Sequence, residues 1–209
     1  MAVKTKWAII GTGYIANQFV SRMRAVEDAI LELLFPEVKI QAKNLHRNMV
    51  VKKSTTDLKT MLDTEKSIIV YLAIPNSCHF EYIMEILERG IPVLSEKPMV
   101  DNGKQLTQVL NKAKEKNTFL MEGMWTRCFP AVIQTRNWIK EGRIGKPLTV
   151  RAGFDIKPDI DDWQPWKAGI KYAAGALRML EFILLEWRIW YSRKATEDLF
   201  QYEIKRRGR

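Results

Sequence analysis

Short uninterrupted apolar runs alternate along this chain with stretches in which apolar residues recur every three or four positions, a pattern that predicts strands and helices in turn. Residues 7–10, Trp-Ala-Ile-Ile, form the first run. Gly11-Thr12-Gly13 breaks it, and residues 14–24 follow with Ile15, Phe19 and Met23 at helical spacing. A second cycle opens with the continuous run 68–74, of the kind found in strands buried on both faces, and Pro75-Asn76 closes it. Its helix is predicted over 79–88, with Gly90 where a C-terminal cap belongs. A strand over 92–95, a helix over 102–116 and a strand over 118–121 come next, and a further helix runs from Phe129 to Glu141, stopped by Gly142 and Gly145. Strands alternating with helices of this length imply an α/β fold, a doubly wound parallel sheet covered on both faces. Residues 148–156 alternate like an antiparallel strand and predict the start of a second, α+β domain. The expected division is a nucleotide-binding domain over 1–122 and a partial second domain over 123–209.

Two stretches break this order. Between residues 32 and 52 a doubly wound domain should place its second strand, with the residue that grips the adenosine ribose near its end. Phe35-Pro36-Glu37 interrupts the run instead, and residues 41–52 are polar without period. The expectation is a sheet that lacks this central member. From Arg178 onward the chain is a mixture of Leu, Trp, Glu and Arg with no turn residue until Gly208.

Gly11-x-Gly13-x-x-Ala16 lies directly after a predicted strand and opens a helix, the context that distinguishes a dinucleotide-binding turn from a chance pair of glycines. The first glycine permits the tight turn, the second lets backbone approach a pyrophosphate, and Ala16 still allows close packing of helix on strand. The helix start then offers N–H groups and its dipole to the anion. The bland reading is a glycine turn with no ligand. Glu96-Lys97-Pro98 stands at the C-terminal end of a predicted parallel strand, where open α/β sheets place their ligands. A lysine there can exchange a proton with substrate if its surroundings lower its pKa; taken alone, such a lysine is more often a surface charge.

The 209 residues, 46% of them hydrophobic, allow one full domain and the start of another. No run approaches the roughly eighteen apolar residues of a membrane span, and Met1-Ala2-Val3-Lys4-Thr5-Lys6 lacks the apolar core of a secretory signal, so a cytoplasmic protein without membrane partners is expected. Cys78 and Cys128 stand far apart with no ligand spacing around them, which predicts reduced thiols and no metal site. The net charge of +10 raises a polyanion-binding alternative, but the excess is scattered, with one cluster at Lys205-Arg206-Arg207-Gly208-Arg209.

Four motifs in order carry a resemblance. Gly11-Thr12-Gly13-Tyr14-Ile15-Ala16, Ala73-Ile74-Pro75-Asn76-Ser77-Cys78-His79, Ser95-Glu96-Lys97-Pro98-Met99 and Glu122-Gly123-Met124-Trp125-Thr126-Arg127-Cys128-Phe129-Pro130 together resemble the Gfo/Idh/MocA oxidoreductases, most closely their dihydrodiol dehydrogenase branch. The resemblance implies a Rossmann domain followed by an open antiparallel sheet. It also implies hydride transfer between NADP or NAD and a sugar, polyol or dihydrodiol carbon, with a homo-oligomer among the possible assemblies. It places Gly11, Thr12, Gly13, Tyr14 and Ile15 at the pyrophosphate turn, and Ala73, Ile74, Asn76, His79 and Glu96 along the cofactor, with Asn76 and Glu96 near the nicotinamide ribose. It makes Lys97 the catalytic lysine, also against the cofactor. Trp125 and Arg127 border the cofactor by the same resemblance, or else pack the domain junction.

In that family a Gly-Ala-Leu run is followed by an Asp-x-Gly-x-Tyr or Asp-x-Gly-x-His segment supplying the lysine's partners. Here Gly175-Ala176-Leu177 leads into Arg178-Met179-Leu180-Glu181-Phe182, without those residues. Codons can be chosen for residues 179–191 whose neighbouring frame reads Asp-Val-Gly-Ile-Tyr. A similar choice for residues 32–52 reads a strand and then Ser-Arg-Ser, of the kind that receives a 2′-phosphate, which favours NADP. The expectation is a frameshifted product, restored near Lys52 and lost again near Arg178, with 178–209 non-native in sequence. A truncated or defective dinucleotide-binding fragment without catalysis is accordingly the alternative to a working enzyme.

Overall fold

The computed structural model describes residues 4–35, 53–54, 57–64 and 68–147. The described residues up to Met124 belong to one compact unit and those from Trp125 to a second. The first unit is a six-stranded parallel sheet with helices between its strands. In chain order it contains β1 (Thr5–Ile10), α1 (Tyr14–Met23), β2 (Ala29–Phe35), β3 (Lys53–Ser54), α2 (Leu58–Thr64) and β4 (Ile68–Leu72). It continues with α3 (Asn76–Glu88), β5 (Val93–Ser95), α4 (Gly103–Glu115) and β6 (Leu120–Glu122). The strand order β3-β2-β1-β4-β5-β6 reverses direction between β1 and β4, the doubly wound arrangement that the alternation of runs predicts.

One expectation is corrected here. The second strand is present: Ala-Ile-Leu-Glu-Leu-Leu-Phe over Ala29–Phe35 pairs with β1 along its length, so the sheet keeps its central member. Pro36 follows the strand's last residue rather than interrupting its middle. A register irregularity explains why the run was hard to read. Trp7 aligns with Leu31 but Ala8 with Leu33, so Glu32 is an extra residue that the β1 register skips. Leu31 accordingly packs into the cluster on the α1 side of the sheet, with Ile9, Val20 and Tyr71, whereas Leu33 and Phe35 join the opposite cluster with Ile10, Val70 and Ile83. Period-two alternation therefore inverts in mid-strand.

The other strands alternate cleanly. Ala8 and Ile10 of β1, with Ile68, Val70 and Leu72 of β4, face the cluster that takes in Ile83, Ile86 and Leu87 of α3 and Val109 and Ala113 of α4. Tyr71 and Leu94 face the other way. Burying such aliphatic side chains contributes roughly 1.5–3 kcal/mol each. Asn102 caps α4 by accepting from the Gln105 N–H at 3.0 Å, and Gly90, at φ +68°, turns the chain after α3.

The second unit holds a short 3-10 turn, Trp125–Cys128, and α5 (Pro130–Lys140), with Pro130 in its first turn. Gly142 and Gly145, at φ +74° and +67°, end it as the sequence implies. The predicted strand over 148–156 and everything from Arg178 onward lie outside the described residues. Among the described residues no helix is long and apolar enough to cross a membrane.

Candidate functional site

Parallel pairing sets one row of residues across the carboxyl end of the sheet: Phe35, Ile10, Leu72, Ser95 and Glu122 are successive register partners. The backbone ladder runs one residue further. Gly11 N–H donates to Phe35 O (3.1 Å), Ala73 N–H to Ile10 O (2.8 Å), Glu96 N–H to Leu72 O (2.9 Å) and Gly123 N–H to Ser95 O (2.6 Å). The sequence-predicted residues Gly11, Ala73 and Glu96 therefore stand side by side where the strands end. At about 4.8 Å per strand, Glu96 lies about 10 Å across the edge from Gly11.

Each glycine of the first turn has its own reason. Gly11 sits at φ +112°, and a Cβ on it would lie 2.1 Å from Ala73 O, so backbone packs where a side chain would be. Gly13 is extended, and a Cβ there would meet nothing within 4 Å. It caps α1 without any side-chain hydrogen bond, which leaves the first-turn N–H groups to a ligand. The Asn17 side-chain amide donates to the carbonyls of Thr12 (3.2 Å) and Gly13 (2.9 Å), fixing the turn from the helix side. Thr12 is buried, while Tyr14 and Ile15 are exposed beside the open space. A dinucleotide diphosphate fits this cradle: bare backbone at Gly13, uncapped N–H groups and no carboxylate in the first turn.

The loop after β5 is held at several points. Tyr71, fully enclosed in β4, donates its hydroxyl to Glu96 Oε1 at 2.6 Å, and Phe19 of α1 stacks on the tyrosine ring with centroids 3.9 Å apart. Burial first, then the Glu96 carboxylate, pushes the Tyr71 hydroxyl's pKa well above its ordinary range, so it remains a donor. Glu96 Oε2 accepts the Lys97 N–H at 3.3 Å, and Glu122 Oε1 accepts the Met99 N–H at 2.7 Å. The Lys97–Pro98 peptide is cis. Burial lowers the Lys97 pKa, and the carboxylates of Glu96 and Glu122 pull it back up without cancelling the shift. Gly123 is bare for a reason of space: a Cβ there would lie 3.1 Å from Ser95 O and 3.4 Å from Glu96 Oε1.

Asn76 opens α3, with Pro75 as its cap and Ala73 and Ile74 leading into it, all on the same edge of the sheet. His79, one turn further, is 0% exposed, with Nδ1 2.8 Å from Pro98 O and Nε2 3.0 Å from Ile74 O. Both ring nitrogens thus face protein backbone. Trp125 and Arg127 belong to the second unit, where the Trp125 and Phe129 rings meet edge to face at 5.0 Å.

Sequence reasoning missed Tyr71 and Glu122. The signal for Tyr71 was a single hydroxyl inside an otherwise apolar run, which implies a buried partner. Glu122 could have been found as a carboxylate at the end of a strand parallel to the one before Lys97.

Residues 5–124 match the family model described as an oxidoreductase family with an NAD-binding Rossmann fold. The chain is 28% identical over 156 residues to trans-1,2-dihydrobenzene-1,2-diol dehydrogenase of Xenopus tropicalis, covering 73% of this chain and 47% of that protein. It is 32% identical over 174 residues to D-xylose 1-dehydrogenase (NADP(+)) of Hypocrea jecorina, covering 78% and 44%. The chain spans about half the length of the curated relatives it matches. Its fold is similar to that of GenD2 from gentamicin A biosynthesis, solved with NAD, at TM-score 0.79 and 20% identity over 93% of this chain and 55% of that one. It is also similar to levoglucosan dehydrogenase with NADH and levoglucosan, at TM-score 0.76 and 21% identity over 90% and 54%.

Proposed function

The chain belongs to the Gfo/Idh/MocA oxidoreductase family, and from that premise we propose that it binds NADP or NAD and serves hydride transfer to or from a sugar, polyol or dihydrodiol carbon. The observation that carries this reading is the common row at the carboxyl end of the sheet, which sets a diphosphate cradle and a lysine loop on one edge. Gly11, Thr12, Gly13, Tyr14 and Ile15 hold the diphosphate. Ala73, Ile74, Asn76 and Glu96 line the path toward the reactive ring, and the family resemblance adds Trp125 and Arg127 to the cofactor's residues.

When bound, the nicotinamide supplies or receives the hydride. Lys97 holds the proton of the substrate oxygen that changes between hydroxyl and carbonyl. Its pKa, lowered from the ordinary lysine value by burial, makes it readier than an exposed lysine to give that proton up. Glu96, kept in place by Tyr71, and Glu122 keep an anionic field beside that amine, which limits how far burial depresses it. A small-molecule substrate and a cytoplasmic setting complete the proposal.

A second reading is a dinucleotide-binding chain without turnover. It is favoured by the residues after Leu177, where Arg178-Met179-Leu180 stands in place of the family's acidic and aromatic partners of the lysine. One experiment separates the two. NADPH and NADH are titrated by nucleotide fluorescence, and turnover is followed by reduced-nicotinamide absorbance with a panel of aldoses, polyols and trans-dihydrodiols. Binding with turnover supports the enzyme, binding alone supports the second reading, and no binding defeats both.

A further inference from the structure

His79 is a buried titratable group that the reaction does not use directly, and its surroundings define a different task. A neutral imidazole carries one N–H and one lone pair. Here both ring nitrogens face carbonyl oxygens, Pro98 O at 2.8 Å and Ile74 O at 3.0 Å. One carbonyl follows β5 and belongs to the residue next to Lys97. The other follows β4 and belongs to the segment that leads to Asn76. The strand ladder between them ends at the Glu96 N–H to Leu72 O bond, and beyond it the ring spans the gap.

We propose that His79 is the positioning residue for Lys97: it donates from Nδ1 to Pro98 O and pins the loop after β5 against the start of α3, so that the amine is presented from a fixed backbone. This rests on the reading of Lys97 as the group that handles the substrate proton. Glu96 and Asp101 are the charged groups whose fields reach the ring. They favour its protonated form, but burial outweighs them and lowers its pKa, so the neutral ring serves one carbonyl as donor. The shorter contact, to Pro98 O, takes the proton.

The two amide side chains separate these contacts, because asparagine places its nitrogen near the Nδ1 position and glutamine near the Nε2 position. H79N retains a donor toward Pro98 O, H79Q retains one toward Ile74 O, and H79L retains neither. The readout is the titration of the Lys97 amine, followed by NMR after reductive 13C-methylation of the full chain and assigned with K97R. Lys97 is expected to titrate below ordinary lysine in the unsubstituted protein and in H79N. In H79Q and H79L its midpoint is expected to rise by about one pH unit as the loop loosens and water reaches the amine. Equal midpoints in H79N and H79Q overturn the proposal, as does an unmoved midpoint in folded H79L. If H79L does not fold, the comparison of the two amide variants still decides. NADPH binding is measured on the same samples. A failure to bind with the expected titration pattern defeats the oxidoreductase reading and leaves the positioning role standing, whereas binding without the pattern does the opposite.

Discussion

The Tyr71 hydroxyl donates to Glu96 Oε1 at 2.6 Å, so a residue in the middle of the sheet's core fixes a carboxylate at its edge. The ring is held in turn by Phe19 stacked on one face and by the cluster around Ile9 and Val20. Y71F keeps this packing and deletes only the donor. It is expected to cost about 1–2 kcal/mol in urea denaturation, as for a hydrogen bond to a charged acceptor that is partly open to water. It is also expected to weaken NADPH binding, because Glu96 is then free to swing; unchanged affinity in fluorescence titration would remove Glu96 from the nucleotide's surroundings.

The two turn glycines are expected to fail in opposite ways. G11A drives a Cβ to 2.1 Å from Ala73 O at a φ of +112°, and should lower stability by at least ~2 kcal/mol or prevent folding. G13A meets no atom within 4 Å and an ordinary extended backbone, so its melting curve should match that of the unsubstituted chain. Its nucleotide affinity should nonetheless fall, because the methyl group occupies the space a diphosphate needs. Paired thermal melts and NADPH titrations check both.

Lys97 is expected to trade stability for chemistry. Its folded pKa is depressed by burial, so between that value and the ordinary 10.5 the unfolded chain binds more protons than the folded one. Unfolding free energy therefore rises with pH across this window, and below it the full cost of burying the charge is present. K97M should lose any turnover, keep nucleotide binding and unfold at higher urea than the parent near neutral pH. That advantage should shrink as pH climbs toward 10.5. A constant advantage across the range would mean that the amine is not desolvated.

Glu88, at the end of α3, contacts Lys112 Nζ at 2.8 Å and Lys116 Nζ at 2.6 Å on α4. The Lys112 hydrogen bond first, then Lys116, brings its carboxyl down from 4.5 to about 2. The contribution is present above 4.5 and is lost as pH falls through about 2. These groups are exposed, so the effect should be small and should fade in high salt. E88Q should flatten the acid limb of the stability–pH profile at low ionic strength; an unaltered limb would show that the bridge contributes nothing.

Much of this arrangement was legible because apolar runs and helical spacing report directly on burial. β4, α4 and the turn at Gly90 could be placed to within a residue or two in this way. The start of α3 was read three residues late, because Pro75 reads as a stop although it precedes the first turn. β2 was misjudged for a deeper reason. Its bulge at Glu32 sends Leu31 to one face and Leu33 to the other, and a rule built on strict alternation has no term for that inversion. The roles of Tyr71 and His79 were hidden because their partners, Glu96 and Pro98, are far away in sequence and come near only through strand order.

The two hydrogen bonds on Glu96 have a thermodynamic consequence for whatever binds at this edge. With the Tyr71 hydroxyl on Oε1 and the Lys97 N–H on Oε2, the carboxylate has given up rotameric freedom before any nucleotide arrives. The entropy of ordering that side chain is spent when the chain folds rather than when the guest is captured, so the guest meets a surface already set to receive it.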